Sequence, residues 1–216
     1  MANKLAWRTF DGNSWSDETV VADVEQVANL AMVADQGNLA LLFSANTEQK
    51  VVVFDEHGNP ALPAKNDQSD DARFAVLEQQ TAAYAALTSS PPSLRSFVVA
   101  SAYYRGAVRY VHSGVDPTGP LLWQTYRPAT NKWSTSEYTF PNTACGPGPA
   151  VCVFAGVLHC FHQGVDSENG DGNTNVYWCV SDGLDWSADR ATPFTSPSAL
   201  AIAAHAGMLF CAYLRD

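Results

Sequence analysis

The sequence predicts an all-β fold, a small β-propeller of four-stranded antiparallel blades, and two recurring patterns carry this prediction. A glycine followed by alternating apolar residues recurs as GNLALLF, GAVRYVH, GVLHCFH and GMLFCAY. A tryptophan-bearing hairpin recurs as LAWRTFDGNSWS, LLWQTYRPATNKWS and VYWCVSDGLDWS. Alternation with a period of two predicts short strands, and repeats of about 40 to 50 residues with four strands each are typical of propeller blades.

The two halves of one blade lie at opposite ends of the chain. The copy that begins at Gly207 reaches Asp216 without its tryptophan hairpin, while the hairpin around Trp7 has no apolar strand pair before it. Joining the ends restores nearly the spacing of the continuous copies. We therefore expect the N- and C-terminal strands to share a blade and close the ring, with residues 1–216 forming a single domain.

The number of blades depends on the spacing between successive repeat glycines, which is longer from Gly37 to Gly106 than between the later copies. In one interpretation, RFAVLEQQTAAYAALTS is a degenerate blade centred near Thr81, which gives five blades with one of them incomplete. In the alternative there are four blades and a helical insertion at about residues 65–95, where an acidic pair suits a helix start and apolar residues keep a helical spacing. We take five blades as the prediction.

Charge and composition narrow the classes of partner. Lys and Arg number 12 against 22 Asp and Glu, and the formal net charge of −10 repels phosphate backbones. No stretch approaches the roughly 20 apolar residues of a membrane span, and the N-terminus lacks an apolar core of signal-peptide length. We expect no nucleic acid partner, no membrane insertion, and a protein that is cytoplasmic or released without a signal peptide.

The five cysteines form no C-x-x-C pair, and three of them lie in apolar runs that are typical of strands. A free thiol in such a run packs as a small hydrophobic group. We expect reduced, buried cysteines, as in cytoplasmic proteins.

At the hairpins TFDGNSWS and SDGLDWS the sequence resembles the tryptophan-bearing repeats of propeller lectins, both the fucose-specific and the tachylectin type. The turns are also similar to a relaxed Asp-box of sialidase-type propellers, although Asp11-Gly12 and Asp182-Gly183 lack the residue that the Asp-box places between its Asp and Gly. The resemblance implies a lectin that holds sugars in shallow pockets between blades, with glycans or glycoconjugates as partners and no cofactor.

The candidate ligand-binding residues are aromatic rings near turns and the polar side chains beside them. A pyranose lays its C–H face on an indole, and its hydroxyls need donors and acceptors that are fixed in advance. The tryptophans next to turns are expected to reach the surface, and those within strands either wedge between blades or contact ligand. The candidate set is Trp7, Trp15, Trp123, Trp133, Trp178, Trp186, Asp11, Asp116, Asp166, Asp182, Arg109 and His162.

The motif His-x-Gly-Val-Asp occurs twice, at His112 and His162, and the same repeat position holds Phe43 and Tyr213. Because this position accepts both polar and apolar rings, we expect the two histidines to be structural spacers whose imidazoles hydrogen bond to the backbone. The alternative is that they contact a ligand. Because His159 and His162 lie three apart on a strand, they point to opposite faces, which argues against a zinc pair.

One loop, DSENGDGNTN, is rich in oxygen ligands. Asp166, Glu168 and Asp171 are weak candidates for Ca²⁺, but their spacing misses the D-x-D-x-D-G register. A solvated loop and no metal is the expectation.

Two further functional classes stay open beside the lectin. One is an enzyme of specialised metabolism, of cyclase or isomerase type, that uses a central or inter-blade cavity with Arg109, His112, His159 or His162 as acid or base. The other is a protein-docking or toxin receptor-binding module. No G-x-S-x-G sequence and no glycine-rich phosphate loop is present.

Overall fold

A computed structural model of the chain consists of antiparallel β-strands. It describes residues 3–24, 27–35, 38–45, 48–54, 60–61, 99–113, 120–127, 130, 132–144, 148–165, 172–197 and 200–215. Within these ranges no helix is long and apolar enough to cross a membrane. The strands are β1 Asn3–Phe10, β2 Thr19–Val24, β3 Val27–Asp35, β4 Asn38–Ala45, β5 Glu48–Phe54, β6 Pro60–Ala61, β7 Val99–Tyr104, β8 Ala107–Ser113, β9 Pro120–Arg127, β10 Lys132–Trp133, β11 Tyr138–Ala144, β12 Ala150–Phe154, β13 Val157–Val165, β14 Gly172–Ser181, β15 Arg190–Thr195, β16 Ala201–His205 and β17 Met208–Arg215.

These strands form four antiparallel sheets in the described part of the chain. The closure blade is β16-β17-β1-β2, blade 2 is β3-β4-β5-β6, blade 3 is β7-β8-β9-β10 with β11 also paired to β9, and blade 4 is β12-β13-β14-β15. The first strands β3, β16, β12 and β7 contact one another in that order, so the closure blade lies between blades 2 and 4, and blade 3 follows blade 4. The predicted all-β propeller of four-stranded blades is confirmed. The degenerate blade near Thr81 and the alternative helical insertion both fall outside the described residues.

The two ends of the chain share the closure blade, as the sequence predicts. β1 pairs antiparallel with β17, in a register that runs from Lys4 opposite Arg215 to Phe10 opposite Leu209. Side chains reinforce this pairing: the Tyr213 hydroxyl donates a 2.6 Å hydrogen bond to Glu18 and accepts one of 3.0 Å from Arg8. Arg215 forms an ion pair with the same Glu18 carboxylate.

This carboxylate makes the closure sensitive to acid. Burial acts to raise the pKa of Glu18, but the hydrogen bonds from Tyr213 and Arg215 outweigh it and hold that pKa below its ordinary value of 4.5. Because the pKa is lower in the folded than in the unfolded chain, ionised Glu18 contributes stability above pH 4.5, and this contribution is lost as the pH falls through the folded value. We expect the wild type to lose more unfolding free energy than Glu18→Gln between about pH 6 and about pH 3 in urea titrations. Equal losses would contradict this role.

The hydrophobic core lies between neighbouring blades rather than in one central layer. One cluster joins the closure blade to blade 2 through Trp7, Phe210 and Leu41. A second joins the closure blade to blade 4, and a third joins blade 4 to blade 3. The closure blade and blade 4 therefore bury both of their faces, which explains the long apolar runs in their first two strands.

The turn between the first two strands has the same backbone in three blades. Arg105 and Gly106 have φ of 48° and 78°, Ala155 and Gly156 have 49° and 75°, and the turn at Gly207 repeats these values. Two consecutive positive φ values are typical of a type I′ turn, which matches the twist of the flanking strands. The predicted tight turn is confirmed at Gly106, Gly156 and Gly207, where its first position carries either arginine or alanine, while Gly37 lies outside the described residues.

Four of the five cysteines are described, and all four are free thiols. Cys160, Cys179 and Cys211 are buried as expected, Cys152 is half-buried, and Cys145 lies outside the described residues. Burial raises the pKa of Cys152 to about 12 and also raises that of Cys211, so neither forms the reactive thiolate near neutral pH.

A Cys145→Ser variant tests this packing by thiol titration. Its four remaining cysteines are expected to be unreactive toward an aromatic disulfide reagent in the native protein and fully reactive in guanidinium. Stoichiometric labelling of the native protein within minutes would contradict it.

Candidate functional site

Two of the three hairpin tryptophans, Trp15 and Trp186, pack against the neighbouring blade. Trp186 of blade 4 is only 6% exposed and packs on Phe140 of blade 3, with ring centroids 4.4 Å apart. Half-buried Trp15 of the closure blade packs edge-on against Phe161 and Phe194 of blade 4. The expectation of a surface ring is therefore wrong for Trp186, because a large aromatic fills the wedge that opens between two twisted sheets.

The serine that follows each hairpin tryptophan has a structural role. Its hydroxyl oxygen accepts a hydrogen bond from a backbone N–H of the preceding strand, and its own N–H donates to the carbonyl of that same residue. The pairs are Ser16 with Thr9, Ser134 with Thr125, and Ser187 with Val180. The repeated Trp-Ser thus closes the hairpin. Trp133, also half-buried, packs on Tyr110 and Tyr126 of its own blade.

The tryptophans within strands serve as platforms for the slot three residues after each turn glycine. Arg109 lies 5.4 Å from the ring centroid of Trp123. The ring of His159 stacks on Trp178 at 5.6 Å with an interplanar angle of 8°. In the closure blade Phe210 stacks on Trp7 at 5.2 Å. Arg109, His159 and Phe210 therefore share one repeated packing position, in which a flat group lies against the tryptophan of the same blade.

His112 and His162, the two histidines of the repeated motif, each lie within hydrogen-bonding distance of a carboxylate. His112 Nε2 lies 2.9 Å from Glu137, and His162 Nε2 lies 3.1 Å from Asp189. In the closure blade the same position is Tyr213, bonded to Glu18. The Nδ1 of His162 lies 3.0 Å from its neighbouring backbone carbonyl. The structural-spacer interpretation thus holds for His162, with a carboxylate as a second partner. An acid three or four residues after each Trp-Ser tryptophan is the sequence signal that predicts these pairs.

His159 lies apart from His162, on the opposite face of β13, as expected from their spacing. It is 5% exposed, and burial lowers its pKa to about 4, so its ring is neutral at physiological pH. Its Nδ1 has no hydrogen-bond partner among the described residues.

The turn aspartates shape their own hairpins. Asp11 Oδ1 accepts hydrogen bonds of 2.8 Å from the backbone N–H groups of Asn13 and Ser14. Asp182 Oδ1 accepts one of 3.0 Å from Leu184. Such Asx turns hold the hairpin tip and leave each exposed carboxylate with spare acceptor positions. Asp116 and Asp166 lie outside the described residues.

The junction between blades 3 and 4, called here the sealed junction, is filled by three polar side chains of blade 3. The Tyr104 hydroxyl donates a 2.9 Å hydrogen bond to the Gly156 carbonyl. Arg105 donates to the Asp182 carbonyl at 2.6 Å, and Arg109 donates to the Gly183 carbonyl at 2.7 Å and to Thr125. Arg109 therefore ties two blades together.

Arg109→Ala is expected to lower the free energy of unfolding by about 1–3 kcal/mol, because it leaves the Gly183 carbonyl and the Thr125 hydroxyl without their charged donor. Arg109→Lys keeps the charge but not the two-pronged geometry, so we expect it to recover only part of the loss. Chemical denaturation of both variants measures this. An unchanged free energy of unfolding in Arg109→Ala would show that the guanidinium does not stabilise the junction.

The corresponding place between blade 4 and the closure blade is open. An open cleft of about 420 Å³ occupies it. Its lining residues are Asp11, Val153, Phe154, Ala155, Ala204, His205, Ala206, Gly207 and Met208. The repeat explains the opening, because the positions of Tyr104, Arg105 and Arg109 are taken here by phenylalanine, alanine and histidine.

His205 belongs to the turn that lines the cleft, but its imidazole packs on Phe210, within the cluster that joins the closure blade to blade 2. His205 is 8% exposed, and its Nε2 has no hydrogen-bond partner within the described part of the chain. Of the residues predicted for a site, only Asp11 lines the cleft. In the sequence, the missing arginine becomes visible when Tyr104-Arg105-Gly106 is aligned with the equivalent Phe154-Ala155-Gly156.

The described residues contain no group of three or more His, Cys, Asp or Glu side chains that could hold a metal ion. The three Ca²⁺ candidates, Asp166, Glu168 and Asp171, lie outside those residues.

Comparison with solved structures finds distant resemblance only. The chain is similar to the alpha-L-arabinofuranosidase CtGH43 from Clostridium thermocellum ATCC 27405, with 10% identity, a TM-score of 0.40, and coverage of 88% of this chain and 61% of that one. It is similar to AofleA from Arthrobotrys oligospora, with 12% identity, a TM-score of 0.39, and coverage of 94% and 55%. It is also similar to the Bacillus subtilis arabinanase Arb43A, with 10% identity, a TM-score of 0.36, and coverage of 100% and 91%. The chain thus spans 61% and 55% of the length of the first two structures, less than two thirds of each.

No protein-family model and no curated protein matches the sequence. The fold therefore rests on the strand pairing of this chain itself.

Proposed function

We propose that the protein is a carbohydrate-binding lectin, and that the open cleft between blade 4 and the closure blade is its binding site. The observation that carries the proposal is the cleft itself, an open space of about 420 Å³ with mostly apolar walls and Asp11 as its charged lining residue. Small-molecule sites have this size and this mixture of apolar walls with a few placed polar groups.

The chemistry of the lining suits a sugar ring. Phe154, Ala204 and the small residues of the two turns provide an apolar wall for the C–H face of a pyranose. The Asp11 carboxylate accepts hydrogen bonds from hydroxyls. The type I′ turns that frame the cleft are held by strand pairing, so the site is formed before ligand arrives.

The enzymatic alternative has less support. Its four candidate residues occupy separate surroundings: Arg109 fills the sealed junction, His159 stacks on Trp178, and each of the other two histidines pairs with a carboxylate of its own blade. General acid and base catalysis needs such groups to converge on one reacting atom. A docking role has no described apolar groove to support it.

Binding to a glycan array, compared between the wild type and Tyr138→Ala, tests the proposal. Tyr138 is 45% exposed and stacks on Trp123, so this aromatic pair is the rival place for a sugar. We expect the wild type to bind a restricted group of glycans and the variant to bind them equally. A blank array would refute the lectin function. Loss of binding in Tyr138→Ala would move the site to the aromatic pair.

A further inference from the structure

In the sealed junction, two arginine side chains lie over the tip of the Asp182-Gly183 hairpin. There the guanidinium groups of Arg105 and Arg109 donate to the carbonyls of Asp182 and Gly183, at 2.6 and 2.7 Å. Each of these two carbonyls accepts from a separate guanidinium. Hydrogen bonds from a charged donor are roughly twice as strong as neutral ones.

The hairpin tip beside the open cleft has the same local structure without the arginines. Gly12 has φ of 107° and Gly183 has 105°, so the two Asp-Gly tips share one backbone conformation. A Cβ built on Gly183 would meet Tyr104 at 3.2 Å and Arg109 at 3.5 Å, whereas one built on Gly12 would meet no described atom within 4 Å. The space over Asp11 and Gly12 is therefore open in the position that the guanidiniums fill in the sister junction.

The charges around this space favour a cation. Backbone hydrogen bonds from Ser14 and Asn13 hold the pKa of the Asp11 carboxyl below its ordinary value, so it is ionised at neutral pH. No lysine or arginine is among the lining residues of the cleft, and the neutral His159 beneath Phe154 adds no positive charge. The whole chain carries a formal net charge of −10.

We propose that the open cleft binds the protonated amino group of an amino sugar, placed over the Asp11-Gly12 turn where arginine guanidiniums lie in the sealed junction. This inference rests on the proposed carbohydrate function and specifies its ligand class. The ammonium donates to the turn carbonyls and pairs with the Asp11 carboxylate, while the sugar ring lies against Phe154 and Ala204. An N-acetylated sugar has lost the charge and two of the amine's three donors, and it needs more room.

Calorimetric titration with three matched short oligosaccharides tests this ligand class: β-1,4-linked glucosamine, N-acetylglucosamine and glucose. We expect the glucosamine oligomer to bind at least about tenfold more tightly than the other two. Equal or tighter binding of either neutral oligomer would overturn the inference while leaving the lectin function intact. Binding of none of the sugars, here or on an array, would refute the lectin function itself.

Asp11→Asn locates the effect, because an asparagine oxygen can accept the same two turn hydrogen bonds while the charge is removed. We expect this variant to fold normally and to lose most of its preference for glucosamine. Glu137→Gln removes one negative charge elsewhere and serves as the control for overall charge. An amine preference that falls equally in both variants would reflect general attraction to an acidic protein and would overturn the inference.

Discussion

Replacing Trp186 by alanine is expected to lower the free energy of unfolding by about 3–5 kcal/mol, the range measured for truncating large aromatic groups in cores. The ring is 6% exposed and packs on Phe140 across the junction of blades 3 and 4, within the cluster that includes Leu158 and Cys179. Its removal leaves a cavity between two sheets that their hydrogen-bonded strands prevent from closing. Guanidinium unfolding followed by fluorescence and circular dichroism measures the loss.

Leu184→Ala is the matched control, because Leu184 lies in the same hairpin and is 76% exposed. Its unfolding free energy is expected to change by less than about 0.5 kcal/mol. If Trp186→Ala were as stable as this control, the ring would have to lie at the surface, as the sequence pattern suggests. A loss of glycan binding in Trp186→Ala is expected to accompany unfolding, and does not identify a contact with sugar.

Replacing Ala155 by arginine is expected to abolish glycan binding and to leave stability nearly unchanged. Ala155 lines the cleft, at the repeat position that Arg105 occupies in the sealed junction. Their φ values are 49° and 48°, so the backbone already accepts an arginine in this conformation. The new guanidinium can reach the Asp11 carbonyl as Arg105 reaches that of Asp182, and it fills the space that the sugar needs.

Ala188→Arg provides the control for this variant, since it adds the same charge at an exposed position of blade 4. Titration calorimetry with an array-positive glycan is expected to give wild-type affinity for Ala188→Arg and no measurable binding for Ala155→Arg. Thermal unfolding of the two is expected to agree within a few degrees. Full binding by a folded Ala155→Arg protein would place the sugar elsewhere.

The repeat pattern was sufficient to predict the propeller, because every feature it depends on is local in the sequence. Alternating apolar residues around Gly106, Gly156 and Gly207 specify strand, turn and strand with no knowledge of neighbours. The missing hairpin after Gly207 and the surplus one at Trp7 likewise specify the shared closure blade, which β1 and β17 form.

Whether a side chain is buried or exposed was harder to predict, because it depends on which residues of the neighbouring blade cover it. Trp186 sits next to a turn, and nothing in its own repeat shows that Phe140 of another blade covers it. The cleft was missed for a related reason: its space is open because Ala155 and His159 stand at the repeat positions that arginines occupy in blade 3. Such an opening becomes visible only when the filled junction around Arg105 and Arg109 is compared with it.

Amide chemical-shift mapping during titration with an array-positive sugar tests the central claim most directly, because it reports where on the fold the ligand binds. The cleft predicts that the largest shifts fall on the two turns that frame it and on the neighbouring hairpin tip, at Gly12, Ala155, Gly156, Ala206 and Gly207. Amides around Trp123 and Tyr138 are expected to stay unchanged. Shifts confined to that aromatic pair, or to the sealed junction, would contradict the claim that this cleft is the binding site.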